Sequence, residues 1–344
     1  MAGLAARPTA ELAAGVSAEL AVARWWTEPY AAPFVRPLRT ARGSWTVRHG
    51  AFVVAEAAGL RGFGEAGRRD NAPVDALAGA AGERPTDPVV AAALEQALLD
   101  LQARRAGVSL AALLASGRAP LARVAVNALI AEQDPIAAAA EARRCLARGF
   151  GVLKLKLAGT LEEDVALVGA VRAAVGPDVA LRLDPNAAWE PQEAAARLVA
   201  LAGLGVAYVE DPLPEPWRLA APACPVAVDD AAHTPAGLAA ALAGGVKHVV
   251  LKPLWAGGLL AARDACERAR AAGASVVLTS CLDRGVASAG ALHLAAALRL
   301  EAAQGLATAE LFGAGWLAPV GGELWVPAGA GIGFAPPALP GRRP

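Results

Sequence analysis

Lys154 and Lys156 alternate with leucines in Val152-Leu153-Lys154-Leu155-Lys156-Leu157, and a carboxylate then ends each of the next three short apolar runs. Asp184 follows Leu181-Arg182-Leu183, Glu210 follows Tyr208-Val209, and Asp229 follows Val226-Ala227-Val228. A further lysine, Lys252, ends Val249-Val250-Leu251. Successive side chains of a strand point to opposite faces, so an apolar face of Leu153, Leu155 and Leu157 leaves both lysines on the other. Ammonium groups inside a barrel are costly without anions, and carboxylates at the carboxyl ends of consecutive strands supply them where barrel active sites lie. Oxygen ligands converging from three strands suit a hard cation. Magnesium takes a few carboxylates and fills its octahedron with water or substrate oxygens, and manganese is a substitute for it. A dication beside a substrate carboxylate, with a lysine in reach, is equipment for removing the proton from the adjacent carbon. Lys252 stands across the barrel from Lys156, and Lys154 lies about 6 to 7 Å from Lys156 along the strand. Taken singly, each acid reads as a helix cap or a solvated loop residue. The order lysine pair, Asp, Glu, Asp, Lys on consecutive strands carries the functional reading. At Asp229-Asp230 parity favours Asp229, and Asp230 is the alternative if the strand carries a bulge.

The elements that must hold these groups recur along the chain. Apolar runs at Val124–Ile130, Val152–Leu157, Val179–Asp184, Val206–Glu210, Pro225–Asp229, His248–Lys252, Ser275–Thr279 and Leu306–Glu310 are separated by alanine-rich helical stretches. That rhythm predicts βα units and an α/β fold of the TIM type over residues 121–310. Before it, Phe34–Ala66 alternates like an antiparallel meander and Asp87–Leu114 has helical periodicity, so residues 1–120 form an α+β lobe. A glycine- and proline-rich tail, 311–344, returns to that lobe.

Composition narrows the partners. The chain is 56% hydrophobic but only 5% aromatic, and the excess is alanine, which suits helices. No apolar run of about 18 residues is free of charges, so no membrane span is expected. Glu11 and Glu19 interrupt the apolar start, which reads as cytoplasmic and not as a signal peptide. Lys plus Arg and Asp plus Glu are 32 each, which offers no field for nucleic acid or an anionic membrane and leaves a small-molecule partner, the carboxylate substrate being what the site residues suggest. Cys145, Cys224, Cys266 and Cys281 form no CxxC pair and read as reduced thiols.

The ordered lysines and acids resemble the enolase superfamily, in its muconate-lactonizing subgroup, across about Arg36 to Gly333. Gly62-Phe63-Gly64-Glu65-Ala66 resembles that family's GxGEA segment, and Ala93–Leu101 its following helix. The resemblance implies a modified TIM barrel, (β/α)7β, with an α+β capping domain formed by the N-terminal part and the C-terminal tail. Within the subgroup, Leu181–Trp189, Tyr208–Leu213 and Val250-Leu251-Lys252-Pro253 resemble the o-succinylbenzoate synthase family. Pro185, Asp230 and the Thr279–Gly285 segment depart from its pattern. That likeness implies a hydro-lyase that uses Mg2+ to dehydrate a succinyl-hydroxycyclohexadiene carboxylate in menaquinone biosynthesis. Lys156 would be base and acid, and Lys252 a cation on the other face. Asn186 and Arg182 would hydrogen-bond near the metal or substrate, and Ser280 is a candidate for the succinyl carboxylate. Arg42 and Trp45, in the Arg39–Trp45 loop, would close over the pocket. N-acylamino acid racemase, dipeptide epimerase and muconate cycloisomerase activities share the same site and stand as alternatives, with a catalytically silent barrel as a remote one.

Overall fold

The computed structural model describes residues 24–40, 43–80, 82–313 and 317–336 of the 344-residue chain. Strands β1 (Arg24–Thr40), β2 (Gly43–Ala57) and β3 (Leu60–Ala66) make the expected meander, and a short β4 (Ala78–Ala80) pairs with the other edge of β1. The β1–β2 register slips between Pro33 and Leu38, where Pro33 and Pro37 have no N–H to give to a ladder. Helix α1 (Pro88–Arg105) covers this sheet, followed by the short α2 (Leu110–Leu114). Asp87 caps α1 by accepting from the Val89 N–H at 2.9 Å, with Pro88 in the first turn where no N–H is needed. Gly62 and Gly64 let β3 lie directly on α1, since a Cβ at either would overlap the Ala97 or Ala93 carbonyl oxygen.

The remainder is a curled, seven-stranded parallel sheet wrapped by helices. Its elements are β5 (Arg123–Ala125), β6 (Ala128–Ile130), α3 (Pro135–Ala147), β7 (Val152–Lys156), α4 (Leu161–Val175), β8 (Ala180–Asp184), α5 (Pro191–Ala202), β9 (Val206–Glu210), β10 (Val226–Val228), α6 (Pro235–Ala243), β11 (His248–Leu251), α7 (Leu259–Ala271), β12 (Ser275–Leu278) and α8 (Val286–Leu298). Strands β6 to β12 pair in parallel, each beside the next. This is the α/β barrel with a separate antiparallel cap that the sequence predicts. Leu153 and Leu155 are fully buried against the helices, as parity requires, and Lys154 and Lys156 take the inner face. Between β9 and β10 a 3-10 turn, Pro216–Arg218, stands where a helix would be regular. Pro212, Pro214 and Pro216 remove the N–H groups that a helix there would need.

Two runs differ from the expectation. Val124–Ile130 is split: β5 pairs antiparallel with β13 (Glu323–Trp325), and only β6 enters the barrel. The eighth run closes the barrel two residues early, at Gln304 and Gly305, which bridge to Val126 and Thr279; Ala309–Phe312 is a 3-10 turn. The seam holds because Gln304 bonds both edges, its backbone N–H donating to the Ala125 carbonyl at 2.7 Å and its side-chain oxygen accepting from Leu278 N–H at 2.6 Å.

The cap also supplies what two barrel helices lack. The N-cap residues of α7 and α8 are Gly258 and Gly285, which have no side chain to offer their exposed amides. Glu95 of α1 accepts from Leu260 N–H at 3.1 Å, and Glu65 of β3 accepts from the Arg284, Val286 and Ala287 amides. Farther on, Gly331 exchanges backbone hydrogen bonds with Val108 and Leu110, and Ile332 N–H donates to Asp100 at 2.6 Å. No helix among the described residues is long and apolar enough to cross a membrane. All four cysteines are free and buried.

Candidate active site

A cavity of about 340 Å³ opens at the carboxyl ends of the barrel strands. Strand parity delivers Lys154, Lys156, Asp184, Glu210, Asp229 and Lys252 to its wall, and Asn186 and Arg182 with them. Lys154 Nζ lies 2.7 Å from Asp184 Oδ2 and donates to both Glu210 oxygens at 2.7 Å, so one ammonium bridges two carboxylates. Lys156 Nζ reaches Asp184 Oδ2 at 2.6 Å and the Asn186 side-chain oxygen at 2.9 Å. Asn186, with φ 54°, turns its own N–H back to Asp184 Oδ1 at 2.9 Å. At the other end of the row Lys252 Nζ is paired with Asp229 Oδ2. Since β7 and β11 flank β8, β9 and β10, the two lysines stand on opposite sides of the three carboxylates.

These charges perturb one another strongly. Burial works against the Lys154 ammonium, yet Asp184, Glu210 and Asp229 around it hold its pKa well above the ordinary lysine value. Burial raises and Lys154 and Lys156 lower the Asp184 carboxyl, and the lysines win, leaving it far below the usual range. Glu210 is pushed up to about 7, because burial and the neighbouring Asp184 and Asp229 outweigh Lys154. Asp229 is held at about 2: burial raises it, but Lys252, His233 and Lys154 prevail.

Several site residues were not singled out in the sequence. His233 sits four residues after Asp229, and its Nε2 accepts from the Lys252 backbone N–H at 3.0 Å. Burial depresses its pKa to about 3, so the ring is neutral and its 3.3 Å approach to Asp229 Oδ1 is no ion pair. Asp211, next to Glu210 and in a left-handed conformation (φ 40°), accepts from the backbone N–H groups of Asp229 at 2.9 Å and Asp230 at 2.8 Å. It fixes the chain where β10 ends. Asp230 itself is exposed and paired with Arg69, whose guanidinium lies 5.2 Å over the Trp255 ring; Lys252 lies 5.3 Å over the same ring. The spacing of four between Asp229 and His233 and the Glu210-Asp211 doublet were the available signals.

Other expected residues fall differently. Arg182 is buried and donates to the Asn127 side chain at 3.1 Å and the Ala303 carbonyl at 2.6 Å, so it braces the barrel seam. Ser280 is buried at the cavity wall, where its oxygen accepts from the Thr308 hydroxyl at 2.6 Å. Trp45 lines the cavity beside Leu38 on the cap side. Arg42 lies outside the described residues.

The donor set fits a hard dication. Asp184, Glu210 and Asp229 present buried carboxylates from consecutive strands, and Asp229 Oδ1 has no hydrogen-bond donor, which is the state of an oxygen kept for a ligand. Asp229, Asp230 and His233 also bring ligand atoms within 4.8 Å of one another. That trio fits less well, because the His233 Nε2 lone pair is occupied by Lys252 N–H and Asp230 is tied to Arg69.

Comparison with known proteins adds the following. A family model described as enolase C-terminal domain-like matches residues 137–338. The L-Ala-D/L-Glu epimerase of Bacillus subtilis is 30% identical over 218 residues, 60% of this chain and 59% of that enzyme. The L-Ala-D/L-Glu epimerase of Escherichia coli is 35% identical over 203 residues, 57% of this chain and 61% of that one. The matches therefore span less than two thirds of either relative. In structure, a substrate-liganded L-Ala-D/L-Glu epimerase from Bacillus subtilis superposes with a TM-score of 0.83, at 23% identity over 93% of this chain and 100% of that one. A dipeptide epimerase from Enterococcus faecalis, complexed with Mg and L-Leu-L-Tyr, gives 0.76 at 21% identity, over 91% and 99%. These relatives are epimerases, hence isomerases. The hydro-lyase assignment expected from the o-succinylbenzoate synthase likeness is corrected by that finding.

Proposed function

This chain belongs to the enolase C-terminal domain-like family, and from that premise we propose that it is a magnesium-dependent isomerase that inverts the α-carbon of an amino-acid carboxylate. The observation that carries the reading is the pair of lysines at the two ends of one carboxylate row, Lys156 at Asp184 and Lys252 at Asp229. A proton removed from one face and restored to the other needs a base and an acid on opposite sides of the carbon.

Asp184, Glu210 and Asp229 would hold the ion, and Lys154, charged at neutral pH, keeps Asp184 and Glu210 together. When bound, a dication supplies positive charge beside the substrate carboxylate, which offsets the charge that accumulates as the α-proton leaves. The chain's own groups do the rest. Lys156, as the neutral amine, takes the α-proton from one face while Lys252, as ammonium, delivers its proton to the other; the reverse reaction exchanges the roles. Asn186 holds Lys156 through its side-chain oxygen, alongside Asp184. His233 fixes the backbone of Lys252, and the Trp255 face steadies its charge. Trp45 and Leu38 shield the cavity from the cap side.

The test is α-proton exchange in D2O, followed by NMR beside optical rotation. Lys156→Ala and Lys252→Ala should each lower inversion by roughly 10² to 10⁴. Each should retain exchange for only one enantiomer, and opposite ones. Undiminished inversion in either variant, or loss of both enantiomers' exchange in both, would refute the two-sided assignment.

A further inference from the structure

The two lysines at the ends of the carboxylate row are held in different ways. Among the described residues the partners of Lys156 all belong to the barrel: Asp184 and Asn186 bind its ammonium, and the Gln133 side chain donates to its carbonyl at 3.0 Å. Lys252 also has barrel partners, Asp229 and His233, but it has a further neighbour that reaches the cap. The chain turns sharply after β11, where the Trp255 and Ala256 amides both donate to the Lys252 carbonyl at 2.9 Å. That turn brings the indole back to its own lysine, with Nζ 5.3 Å from the ring centroid.

The same indole is fastened to the cap. Its Nε1 donates to the Gly67 carbonyl at 3.1 Å, and the Arg69 guanidinium, paired with Asp230, lies 5.2 Å from the ring centroid. Between Gly67 and Arg69 stands a residue that the cap holds firmly. Arg68 pairs with Asp87, the N-cap of α1, at 2.6 Å, donates to the Pro73 carbonyl at 2.7 Å, and accepts from Arg48 on its own carbonyl at 2.8 Å. An ammonium is drawn to an indole face, and a shift of about 1 Å at a reacting group costs roughly 10²-fold in rate. Resting on the isomerase reading above, we propose that Trp255 is a positioning residue through which the cap places Lys252 and not Lys156. Proton exchange at the face served by Lys252 then depends on how segment 67–69 is seated, and exchange at the Lys156 face does not.

Trp255→Leu removes both the ring face and the bond to Gly67, Trp255→Phe removes the bond alone, and Arg68→Met loosens the cap segment without changing a residue of the cavity wall. α-Proton exchange in D2O is followed with the magnesium-loaded full chain on L- and D-configured glycyl and N-acetyl amino acids. The Lys252 face is the one whose exchange Lys252→Ala abolishes. For that enantiomer kcat should fall at least about ten-fold in Trp255→Leu and about three-fold or more in the other two, while the opposite enantiomer stays within about two-fold. Equal loss on both faces would overturn the proposal, as would parental exchange in both Trp255→Phe and Arg68→Met. Lysine-selective 13C labelling reads the placement without turnover, because the chain has four lysines, Lys154, Lys156, Lys247 and Lys252. The Trp255 ring current should move the Lys252 ε-methylene signal upfield in the parent. Trp255→Leu and Arg68→Met should each shift that signal and leave the Lys156 signal in place. A Lys252 signal unmoved by Arg68→Met, or equal movement at Lys156, overturns the proposal. If the parent exchanges no probe, the isomerase reading falls and the labelling alone decides whether the cap places Lys252.

Discussion

Replacing Glu95 by glutamine tests how the cap and barrel are joined. The Glu95 carboxylate is half-buried between α1 and the start of α7, where it accepts from Leu260 N–H. Burial pushes its pKa from 4.5 to about 7, and the Leu260 and Leu259 amides only partly offset that. Because the folded value is raised, the stability linked to this group is complete below the unfolded value and is lost as pH climbs through about 7. At 1.36 kcal/mol per unit, the shift corresponds to roughly 3 kcal/mol between pH 4 and pH 8. Glutamine keeps the oxygen that receives the Leu260 amide and discards the charge. Glu95→Gln should therefore match the parent near pH 4.5 and exceed it by up to about 3 kcal/mol at pH 8, a gain of several degrees in melting temperature. Urea unfolding at half-unit steps from pH 4.5 to 8.5 measures the difference directly. The opposing effect is the helix N-terminus, which favours a negative charge by about 0.3 to 2 kcal/mol. A variant less stable than the parent at pH 8 would show that the helix outweighs burial, and a pH-independent difference would refute the linkage altogether.

Other outcomes follow from the site. Glu210→Gln removes one of two carboxylates bridged by Lys154 and should sharply raise the magnesium concentration needed for exchange; an unchanged requirement removes it from the ligand set. Asp211→Asn keeps one acceptor but turns a donor toward the Asp229 or Asp230 amide, so metal affinity by titration should fall about 10- to 100-fold with the fold retained. Equal affinity would confine Asp211 to a structural role. Lys252→Arg preserves charge but replaces the ammonium with a planar fork, and inversion should drop by at least about 10². Undiminished turnover would mean that only a positive field is needed there.

How far the sequence reached depended on what a residue's neighbours could reveal. Alternation alone placed Leu153 and Leu155 outward and both lysines inward, and it chose Asp229 over Asp230 for the buried position. The closing run was misplaced because Gln304 performs with its side chain a ladder bond that periodicity assigns to backbone. Asp211 escaped notice because its importance lies in a positive φ and in two amides that only the fold brings to it. The reaction class was misread for a different reason. The runs that end in Asp184, Glu210 and Lys252 carry no record of what the fold brings around them. The cavity wall is assembled from distant segments such as Arg69, Tyr208, Trp255 and Thr308.

The glutamates that finish α7 and α8 have a bearing on recombination between relatives. Neither helix carries a cap of its own, so a barrel grafted onto a foreign cap would leave the amides of Leu260, Val286 and Ala287 bare unless side-chain acceptors stood at the places of Glu65 and Glu95. Modular exchange of the two lobes is thus constrained by a handful of hydrogen bonds far from the chemistry. Successful chimaeras should be those that carry both acceptors across the junction.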